Sequence, residues 1–375
     1  MKLVNMLTRG ISKHELITPA LLIDLPIMEK NIATMAEYFK RASAELTPHI
    51  KTHKTPIIAH KQIEAGAKGI VCQTLSEAEV MAAAGIRNIL VIRETVEKNK
   101  IRRLINLAKH SNVIGSIENL EVAKVLSKAA LDKELKLNVA VEIDMGRCGV
   151  EAGRPTLLFV KEIRNYKGLT FKGIWCHGAG HPKSYKNFGE RQKRHTEALK
   201  PVLATKKLIE DEGIPVEILS AGETVTYNIT SEVPGVTEVQ PGSYVFMDES
   251  FKEYEEVGEY FHCALTVLTT VISRKRDRAI LDAGLKAVPQ ESGCSYRSIM
   301  YPKVLGIEGV KVMSLSEEHA TLKLENPSKN IRVGDKLELI PAHCSTTVNL
   351  YDKFHGLRNG KLEVVWDIVA RGHCI

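Results

Sequence analysis

The chain has 375 residues, of which 44% are hydrophobic and 26% charged, and its formal net charge is +7 at pH 7. Because single hydrophobic cores rarely grow beyond about 250–300 residues, this length predicts two domains. The positive charge is spread along the chain without a concentrated basic face, and no apolar run reaches the roughly 18 residues of a membrane span, so we expect neither nucleic-acid binding nor membrane insertion.

The seven cysteines favour a reducing compartment. Their number is odd and none of them has CxxC spacing, which argues against the disulfide framework of a small secreted protein. The beginning of the sequence also lacks the long apolar core of a signal peptide. We therefore expect a cytoplasmic protein that acts on small, often anionic molecules.

From Thr18 to about Asp248, apolar runs alternate with helical patterns such as Met28–Arg41 and Lys98–His110. The eight predicted strands are Ala20–Asp24, Ala44–Ile50, Gly69–Gln73, Ile89–Ile92, Val113–Ile117, Leu137–Ile143, Phe171–Cys176 and Val216–Leu219. Eight strands that alternate with helices predict an α/β fold, a (β/α)8 TIM barrel over residues 18–255. No GxGxxG motif follows the first strand and no GxxxxGK[ST] motif occurs, so the sequence does not support a dinucleotide or P-loop site.

After Phe261 the helical periodicity nearly vanishes and short strands separated by Gly and Pro turns follow. The predicted strands are Ala264–Ile272, Arg278–Leu281, Val304–Gly306, Lys311–Leu315, Thr321–Leu324, Lys336–Ile340 and Lys361–Asp367. We therefore expect a C-terminal β domain over residues 256–375. The first seventeen residues do not start a barrel strand, and we expect residues 1–17 to join that β domain.

The most informative stretch is Leu46–Lys54, which reads Leu-Thr-Pro-His-Ile-Lys-Thr-His-Lys. It places Lys51 where a predicted barrel strand ends, and α/β barrels carry their catalytic residues at that end. A lysine there can hold an aldehyde cofactor as a Schiff base. A basic turn exposed to solvent is the alternative that these residues alone leave open.

Further candidates follow the later strands. His177 and His181, separated by Gly-Ala-Gly, are placed for acid–base or metal chemistry, although histidines at strand ends are often structural. The glycine turns in Ser220–Thr224 and Val239–Asp248 are typical of phosphate-binding backbone. Arg147, between glycines, can fix a phenolate or carboxylate oxygen, or else pair with Asp144.

Taken together, these motifs resemble the D-threonine aldolase and D-serine dehydratase family of fold-type III enzymes, which use pyridoxal 5'-phosphate (PLP) and share their barrel with alanine racemase. The matching segments, in order along nearly the whole chain, are Pro48–Lys54, Cys72–Glu79, Arg147–Gly149, Gln240–Asp248, Asp282–Lys286, Leu315–His319 and Val348–Asp352.

The resemblance implies a role for each matching residue. Lys51 would hold PLP, and Arg147 would lie beside its phenolic oxygen. The residues that would bind the phosphate group are Gly222, Thr224, Gly242 and Ser243, and Tyr244 would lie near the cofactor ring. His181 would act near the substrate hydroxyl as the catalytic histidine. Lys51 and His181 are therefore the predicted catalytic residues.

The resemblance also implies two protein ligands, His343 and residue 345, for a divalent metal such as Mn²⁺, Mg²⁺ or Zn²⁺. Family members carry a carboxylate or a thiolate at the second position, whereas this chain has Ser345. A neutral hydroxyl is a poorer ligand for a divalent ion, so a weak or absent metal site is expected. Trp175 and Thr47 also depart from the family pattern, in place of a tyrosine and an arginine.

The resemblance implies a PLP-dependent lyase that acts on D-β-hydroxy-α-amino acids. Retro-aldol cleavage to glycine, or a substituted glycine, and an aldehyde is preferred, because Val348–Asp352 and the adjacent His343 and Cys344 resemble the aldolases. The alternatives are a D-serine or 3-hydroxy-D-aspartate dehydratase, an amino-acid racemase and a non-catalytic PLP-binding protein. Fold-type III barrels commonly pair head to tail, so a homodimer is also expected.

Overall fold

The structure is a computed structural model that describes residues 9–251, 253–293 and 296–375. The chain divides into two compact units. We call them, after their sheets, the parallel-sheet unit (residues 35–51, 56–242 and 373–375) and the mixed-sheet unit (residues 9–34, 52–55 and 243–372). The domain limits expected at residues 18 and 255 differ from the limits of these units, and as limits of folding domains they stay a prediction.

Helices and strands alternate in the first two thirds of the chain, and strands dominate afterwards. The strands are β1 (Ala20–Asp24), β2 (Glu45–Leu46), β3 (Ile70–Cys72), β4 (Asn88–Val91), β5 (Asn112–Ile117), β6 (Leu137–Glu142), β7 (Leu169–Trp175), β8 (Ile218–Ala221), β9 (Glu238–Val239), β10 (Leu265–Arg274), β11 (Arg278–Leu281), β12 (Glu291–Gly293), β13 (Tyr296–Met300), β14 (Lys303–Val304), β15 (Val310–Leu315), β16 (Ala320–Leu324), β17 (Lys336–Ile340), β18 (Lys353–Arg358) and β19 (Lys361–Asp367). The helices are α1 (Leu25–Phe39), α2 (Pro56–Glu64), α3 (Leu75–Ala83), α4 (Lys98–Ala108), α5 (Leu120–Leu131), α6 (Arg154–Ile163), α7 (Phe188–Asp211), α8 (Tyr227–Thr230), α9 (Glu255–Gly258) and α10 (Cys344–Val348). Within the described residues, no helix combines the length and the apolar character that crossing a bilayer requires.

The parallel-sheet unit contains an eight-stranded parallel sheet in the order β2-β9-β8-β7-β6-β5-β4-β3. Its inner strands are buried on both faces: in β6 every residue except Asn138 is buried. Such strands need helices on both sides or a closed sheet, which is the usual environment of parallel strands. Helix α4 shows the matching amphipathic pattern, since it buries Ile101, Leu104 and Ile105 while its other side carries charged residues.

Two barrel strands differ from the sequence-based expectation. The assignment of Ala20–Asp24 to the barrel is wrong, because β1 pairs antiparallel with β10 and parallel with β18 in the mixed-sheet unit. A short apolar run looks the same in the sequence whichever sheet it joins. The remaining strand of the parallel sheet is β9, which pairs with β2 and β8. A two-residue strand carries no periodicity, so the sequence did not indicate it.

The mixed-sheet unit is built on a nine-stranded sheet. Its main path is β15-β16-β11-β10-β1-β18-β19, and β17 pairs with both β10 and β14. Each of the seven strands predicted after Phe261 overlaps an observed strand. Strand β18 was missed because Gly356 and flanking charged residues interrupt its apolar pattern. The hairpin of β12 and β13 was missed as well.

The segment before β1 lies against this sheet. Gly10 N–H donates to the Leu362 carbonyl (2.8 Å), and an isolated antiparallel bridge joins Ser12 to Lys361. Leu16 is buried in a cluster with Leu22 and other core residues of the sheet. Residues 9–17 thus belong to the mixed-sheet unit. The first eight residues of the segment expected to join the β domain lie outside the described part of the chain.

Candidate active site

Lys51 lies just beyond β2, in the 3-10 turn Ile50–Thr52. It is partly buried, which excludes the alternative of a basic turn exposed to solvent. Its backbone N–H donates to His49 Nδ1 (3.3 Å). Burial, followed by the positive charge of Lys183, lowers the pKa of Lys51 to about 8. A larger fraction of this amine is therefore unprotonated at neutral pH than in an ordinary lysine, which favours attack on an aldehyde.

Two side chains of opposite charge act on Lys51. Lys183 Nζ lies 3.9 Å from Glu223 Oε2. Burial alone would raise the pKa of Glu223, but the neighbouring basic side chains, Lys183 above all, outweigh it and hold the pKa below its usual value. Glu223 is therefore a carboxylate at neutral pH, and it limits how far the pKa of Lys51 falls.

The two histidines after β7 lie in different environments. Burial, and then the charge of Lys51, lowers the pKa of His177 to about 4, so that this partly buried imidazole is neutral at physiological pH. His181 is exposed and its backbone is left-handed (φ 47°). The backbone N–H of His181 donates to the Gly178 carbonyl (2.9 Å). The sequence assigned the catalytic role to His181, and that role stays a prediction. The electrostatic coupling of His177 to Lys51 was not predicted.

His195, a buried histidine on α7, contacts both the loop after β7 and helix α8. His195 Nδ1 lies 2.8 Å from the carbonyl oxygen of Ala179, and His195 Nε2 lies 2.8 Å from Thr230 Oγ1. Both ring nitrogens of this residue are thus engaged inside the protein. Sequence reasoning did not identify His195, because a single histidine in a helix has no distinguishing pattern.

Gly222 and Thr224 lie in the turn between β8 and α8. Gly222 has φ +82°, a conformation that favours glycine, and a Cβ at this position would lie 2.6 Å from Thr230 Oγ1. Glu223 N–H donates to Thr226 Oγ1 (3.1 Å), and residues 224–226 form a 3-10 turn. A glycine turn at the carboxyl end of a parallel strand is typical of phosphate-binding backbone.

The second predicted phosphate turn crosses the limit between the two units. Gly242 ends the parallel-sheet unit, and Ser243 begins the next segment of the mixed-sheet unit. There, Met247 N–H donates to the Ser243 carbonyl (2.7 Å), and the buried Tyr244 ring packs 5.9 Å from Phe261, centroid to centroid. The cofactor-binding roles of Gly242, Ser243 and Tyr244 stay predictions.

Arg147 follows β6 on a loop that Asp144 organises. Asp144 Oδ1 accepts from Gly146 N–H (2.6 Å) and from Arg147 N–H (3.2 Å). Asp144 thus binds the backbone of Arg147, whereas the guanidinium Nη2 lies 3.8 Å from Glu142 Oε1, so the described ion pair of the side chain is with Glu142 and not with Asp144. The Arg147 side chain is 63% exposed. Its guanidinium is therefore accessible to solvent while it lies beside the buried carboxyl group of Glu142.

In the mixed-sheet unit, His343 lies next to a buried carboxylate. His343 Nδ1 is 3.0 Å from Asp248 Oδ2, which also accepts from Cys344 N–H (2.8 Å). Asp248 Oδ1 accepts from Ser250 N–H (3.0 Å). Both oxygens of Asp248 are engaged by protein donors, so this carboxylate orients His343 and leaves the ring Nε2 as the nitrogen for a ligand.

The remaining donors near His343 are poor metal ligands. Burial, and then the charge of Asp248, raises the pKa of the Cys344 thiol well above its usual value. Ser345 Oγ lies 3.3 Å from Thr52 Oγ1, and the two hydroxyls can hydrogen-bond. Among the described residues, the accessible donors beside His343 are therefore one imidazole nitrogen and one neutral hydroxyl, which do not fit a strong site for a divalent ion.

Comparison with known proteins gives the family. Residues 23–250 match the alanine racemase N-terminal domain, and residues 264–357 match a putative serine dehydratase domain. The chain is 35% identical to the 3-hydroxy-D-aspartate aldolase of Paracoccus denitrificans, over 97% of this chain and 94% of that protein. It is 28% identical to the D-threo-3-hydroxyaspartate dehydratase of Delftia sp., over 93% and 96% of the two chains.

A solved structure of a similar protein covers both of these domains. The D-threonine aldolase of Filomicrobium marinum superposes with a TM-score of 0.91 and 33% identity, covering 98% of this chain and 99% of that one. The α/β class and the separate C-terminal sheet expected from the sequence are confirmed. The chain belongs to the D-threonine aldolase and D-serine dehydratase-like family of fold-type III enzymes, built on the alanine racemase N-terminal domain.

Proposed function

We propose that this protein is a PLP-dependent lyase that cleaves the Cα–Cβ bond of D-configured β-hydroxy-α-amino acids, giving an aldehyde and glycine or a substituted glycine. The observation that carries the proposal is Lys51, a partly buried amine with a pKa of about 8 beyond the end of β2. The relatives support this type of reaction, because two of the three proteins compared above are named aldolases.

The residues of the parallel-sheet unit fit PLP. The cofactor requires an amine, a phosphate site and a group that stabilises its phenolate oxygen. Lys51 would supply the amine, the turn at Gly222 and Thr224 would bind phosphate, and Arg147 would stabilise the phenolate. When bound, PLP supplies an electron sink for the electron pair that remains at Cα after the Cα–Cβ bond breaks.

The protein side chains would move the protons. His181 would accept the proton of the β-hydroxyl as the aldehyde forms and leaves, and Cα would then receive a proton to give glycine. His177, which is neutral at physiological pH, adds no further positive charge beside Lys51. Glu223 would balance the charge of Lys183 throughout.

The donor set of the mixed-sheet unit does not fit the family's metal. His343 Nε2 and the neutral Ser345 hydroxyl lack the anionic ligand that a divalent ion prefers. Asp248 cannot replace it while its two oxygens accept hydrogen bonds from the protein. We therefore propose that His181 acts without a strongly bound metal.

We further propose that the parallel sheet closes into the complete (β/α)8 barrel. Its two end strands support this, because Lys68 N–H donates to the Leu46 carbonyl (3.0 Å) and Val71 N–H donates to the Pro48 carbonyl (2.9 Å). A parallel bridge also joins His49 to Val71. Closure would arrange the strand ends that carry Lys51, Arg147 and Gly222 around one axis.

Dehydration of the same substrates is the second candidate, favoured by the similarity to the Delftia dehydratase over most of both chains. A dehydratase must expel the hydroxyl group, and a Lewis acid usually assists that step. The weak donor set at His343 and Ser345 therefore disfavours dehydration relative to aldol cleavage.

The experiment is product analysis. The PLP-loaded protein is incubated with a panel of D-β-hydroxy-α-amino acids, with and without manganese, and Lys51→Met serves as the inactive control. We expect glycine or a substituted glycine plus an aldehyde, with or without metal. A 2-oxo acid plus ammonia would establish dehydration instead, and recovery of the opposite enantiomer alone would establish racemisation.

A further inference from the structure

A chain of hydrogen bonds lies beneath Arg147 across the ends of four neighbouring strands. Trp175 Nε1–H, at the end of β7, donates to Ser116 Oγ in β5 (2.9 Å). Ser116 Oγ in turn donates to Oε1 of Glu94, which follows β4 (2.8 Å). Trp175 is fully buried in a core cluster with Val71 and other residues. Its indole therefore anchors Ser116 rather than presenting a polar group to a substrate.

The chain continues from Glu94 to Glu142, at the end of β6. One oxygen of each carboxyl group lies within 4.8 Å of the other and of Cys148 Sγ. Two carboxylates at this distance repel each other unless one carries a proton, so a pair of this kind holds a single negative charge. Burial, and then the hydrogen bond to Glu94, raises the pKa of Glu142 to about 9, so the pair binds one proton at neutral pH.

Arg147 lies over this pair. Its Nη2 is 3.8 Å from Glu142 Oε1, and the Glu142 side chain is only 4% exposed. Glu118, after β5, accepts a hydrogen bond from Gly149 N–H, so the loop after Arg147 is fixed from the neighbouring strand. The described charged groups around the pair are Glu118 and Arg147, and the thiols of Cys148 and Cys176 are further titratable neighbours.

A metal ion is a poor occupant of this cluster. A cation bound by Glu94, Glu142 and Cys148 would have to displace the shared proton. The partner that the structure itself provides for the single negative charge is the Arg147 guanidinium.

We propose that Glu94 and Glu142 form a proton-sharing carboxyl pair that positions Arg147 for the phenolate oxygen of the cofactor, an inference that rests on the proposed PLP site. A pair with one negative charge holds the guanidinium at the strand end. A pair with two charges would bind it more tightly and compete with the phenolate for its N–H donors. Trp175, through Ser116, fixes the orientation of Glu94.

The test compares two substitutions of one residue. Glu142→Gln mimics the protonated carboxyl group, because its amide can donate to Glu94, whereas Glu142→Ala removes the hydrogen bond. We expect PLP to bind Glu142→Gln with an affinity within about twofold of the wild type and Glu142→Ala about tenfold more weakly, since hydrogen bonds to charged groups contribute on this scale. Glu121→Gln, on an exposed helix position paired only with Lys124 in the described contacts, is the matched control.

The shared proton is measured separately by infrared difference spectroscopy of the cofactor-free proteins. The spectrum of the wild type minus that of Glu142→Gln should contain the C=O stretch of a protonated carboxyl group at neutral pH. Thermal unfolding of each variant verifies that it folds. A Glu142→Gln affinity as weak as that of Glu142→Ala, unchanged affinity in both, or absence of the infrared band would overturn the inference.

The two experiments distinguish failure of the proposed PLP site from failure of the carboxyl-pair inference. A wild-type protein that binds no PLP contradicts the PLP site and with it the positioning role of Arg147. The infrared band does not depend on the cofactor, so it decides on the carboxyl pair in either case.

Discussion

Lys183 Nζ lies 3.9 Å from Glu223 Oε2, and the two charges act on Lys51 in opposite directions. Lys183 lowers the pKa of Lys51, and Glu223 raises it. Burial makes the largest contribution to the lowered pKa, and the two charges shift the pKa to either side of the value that burial sets. The pair adjusts the reactivity of the amine without adding net charge to the site.

This relationship predicts the pH dependence of Lys51. Only the unprotonated amine attacks an aldehyde, so the rate of PLP attachment should rise with pH and level off above the pKa of Lys51. Lys183→Met removes a positive charge and should move the midpoint above that of the wild type, whereas Glu223→Gln should move it below. Stopped-flow absorbance of PLP binding to the cofactor-free protein measures the midpoint.

The control for this pH series is Lys172→Met, which removes a lysine paired with Glu217. It should leave the midpoint unchanged. A wild-type midpoint near that of an ordinary lysine, or shifts of the opposite sign in the two variants, would contradict the electrostatic account of Lys51.

Gly222 should be required for phosphate binding. In Gly222→Ala the new Cβ would lie 2.6 Å from Thr230 Oγ1, so the turn must shift. Gly213→Ala is the matched control, because Gly213 also has a positive φ (+72°) and nothing within 4 Å of a Cβ. Both variants carry a backbone strain of roughly 1 kcal/mol. We expect only Gly222→Ala to lose affinity for PLP, by about tenfold or more, in fluorescence titrations; equal affinities would argue against a phosphate site at this turn.

The metal site should be weak, and one substitution should restore it. Chelators should leave the activity of the wild type nearly unchanged. Ser345→Asp supplies the missing anionic ligand beside His343, and manganese should then stimulate activity severalfold. Thr346→Asp adds the same charge one residue further along and should give no such stimulation. Stoichiometric metal in the purified wild type, together with loss of activity on chelation, would refute this prediction.

A cytoplasmic homodimer remains a proposal that rests on the family resemblance and, for its location, on the cysteine usage. Multi-angle light scattering of the purified protein should give twice the 41.6 kDa mass of the chain. Activity per chain should also fall on dilution below the dissociation constant. A monomeric mass with full activity at high dilution would exclude a site that depends on a second copy.

Local motifs in the sequence indicate candidate residues for the site but not how these residues are arranged. Lys51, Arg147 and Gly222 could be located because each follows a recognisable apolar run, and parallel strands carry their functional loops at the carboxyl end. The coupling among Lys51, His177 and Glu223 could not be predicted, because it depends on loops after three different strands. Similarly, Asp248 and His343 form their hydrogen bond across 95 positions of the sequence.

The sequence also did not determine which strands pair with one another. The run Ala20–Asp24 is apolar enough for a barrel, and only its hydrogen bonds to β10 and β18 assign it to the mixed-sheet unit. Glu238–Val239 is too short to show a period and joins the parallel sheet through β2 and β8. Periodicity identifies the type of an element and leaves its partners undetermined.

The attachment of the cofactor to Lys51 is the central claim, and borohydride reduction tests it most directly. The PLP-loaded protein is reduced, digested and analysed by mass spectrometry. We predict one modified peptide, which carries the reduced cofactor on Lys51, and no modification in Lys51→Met. The reduced cofactor on a different lysine, or unchanged labelling in Lys51→Met, would contradict the account.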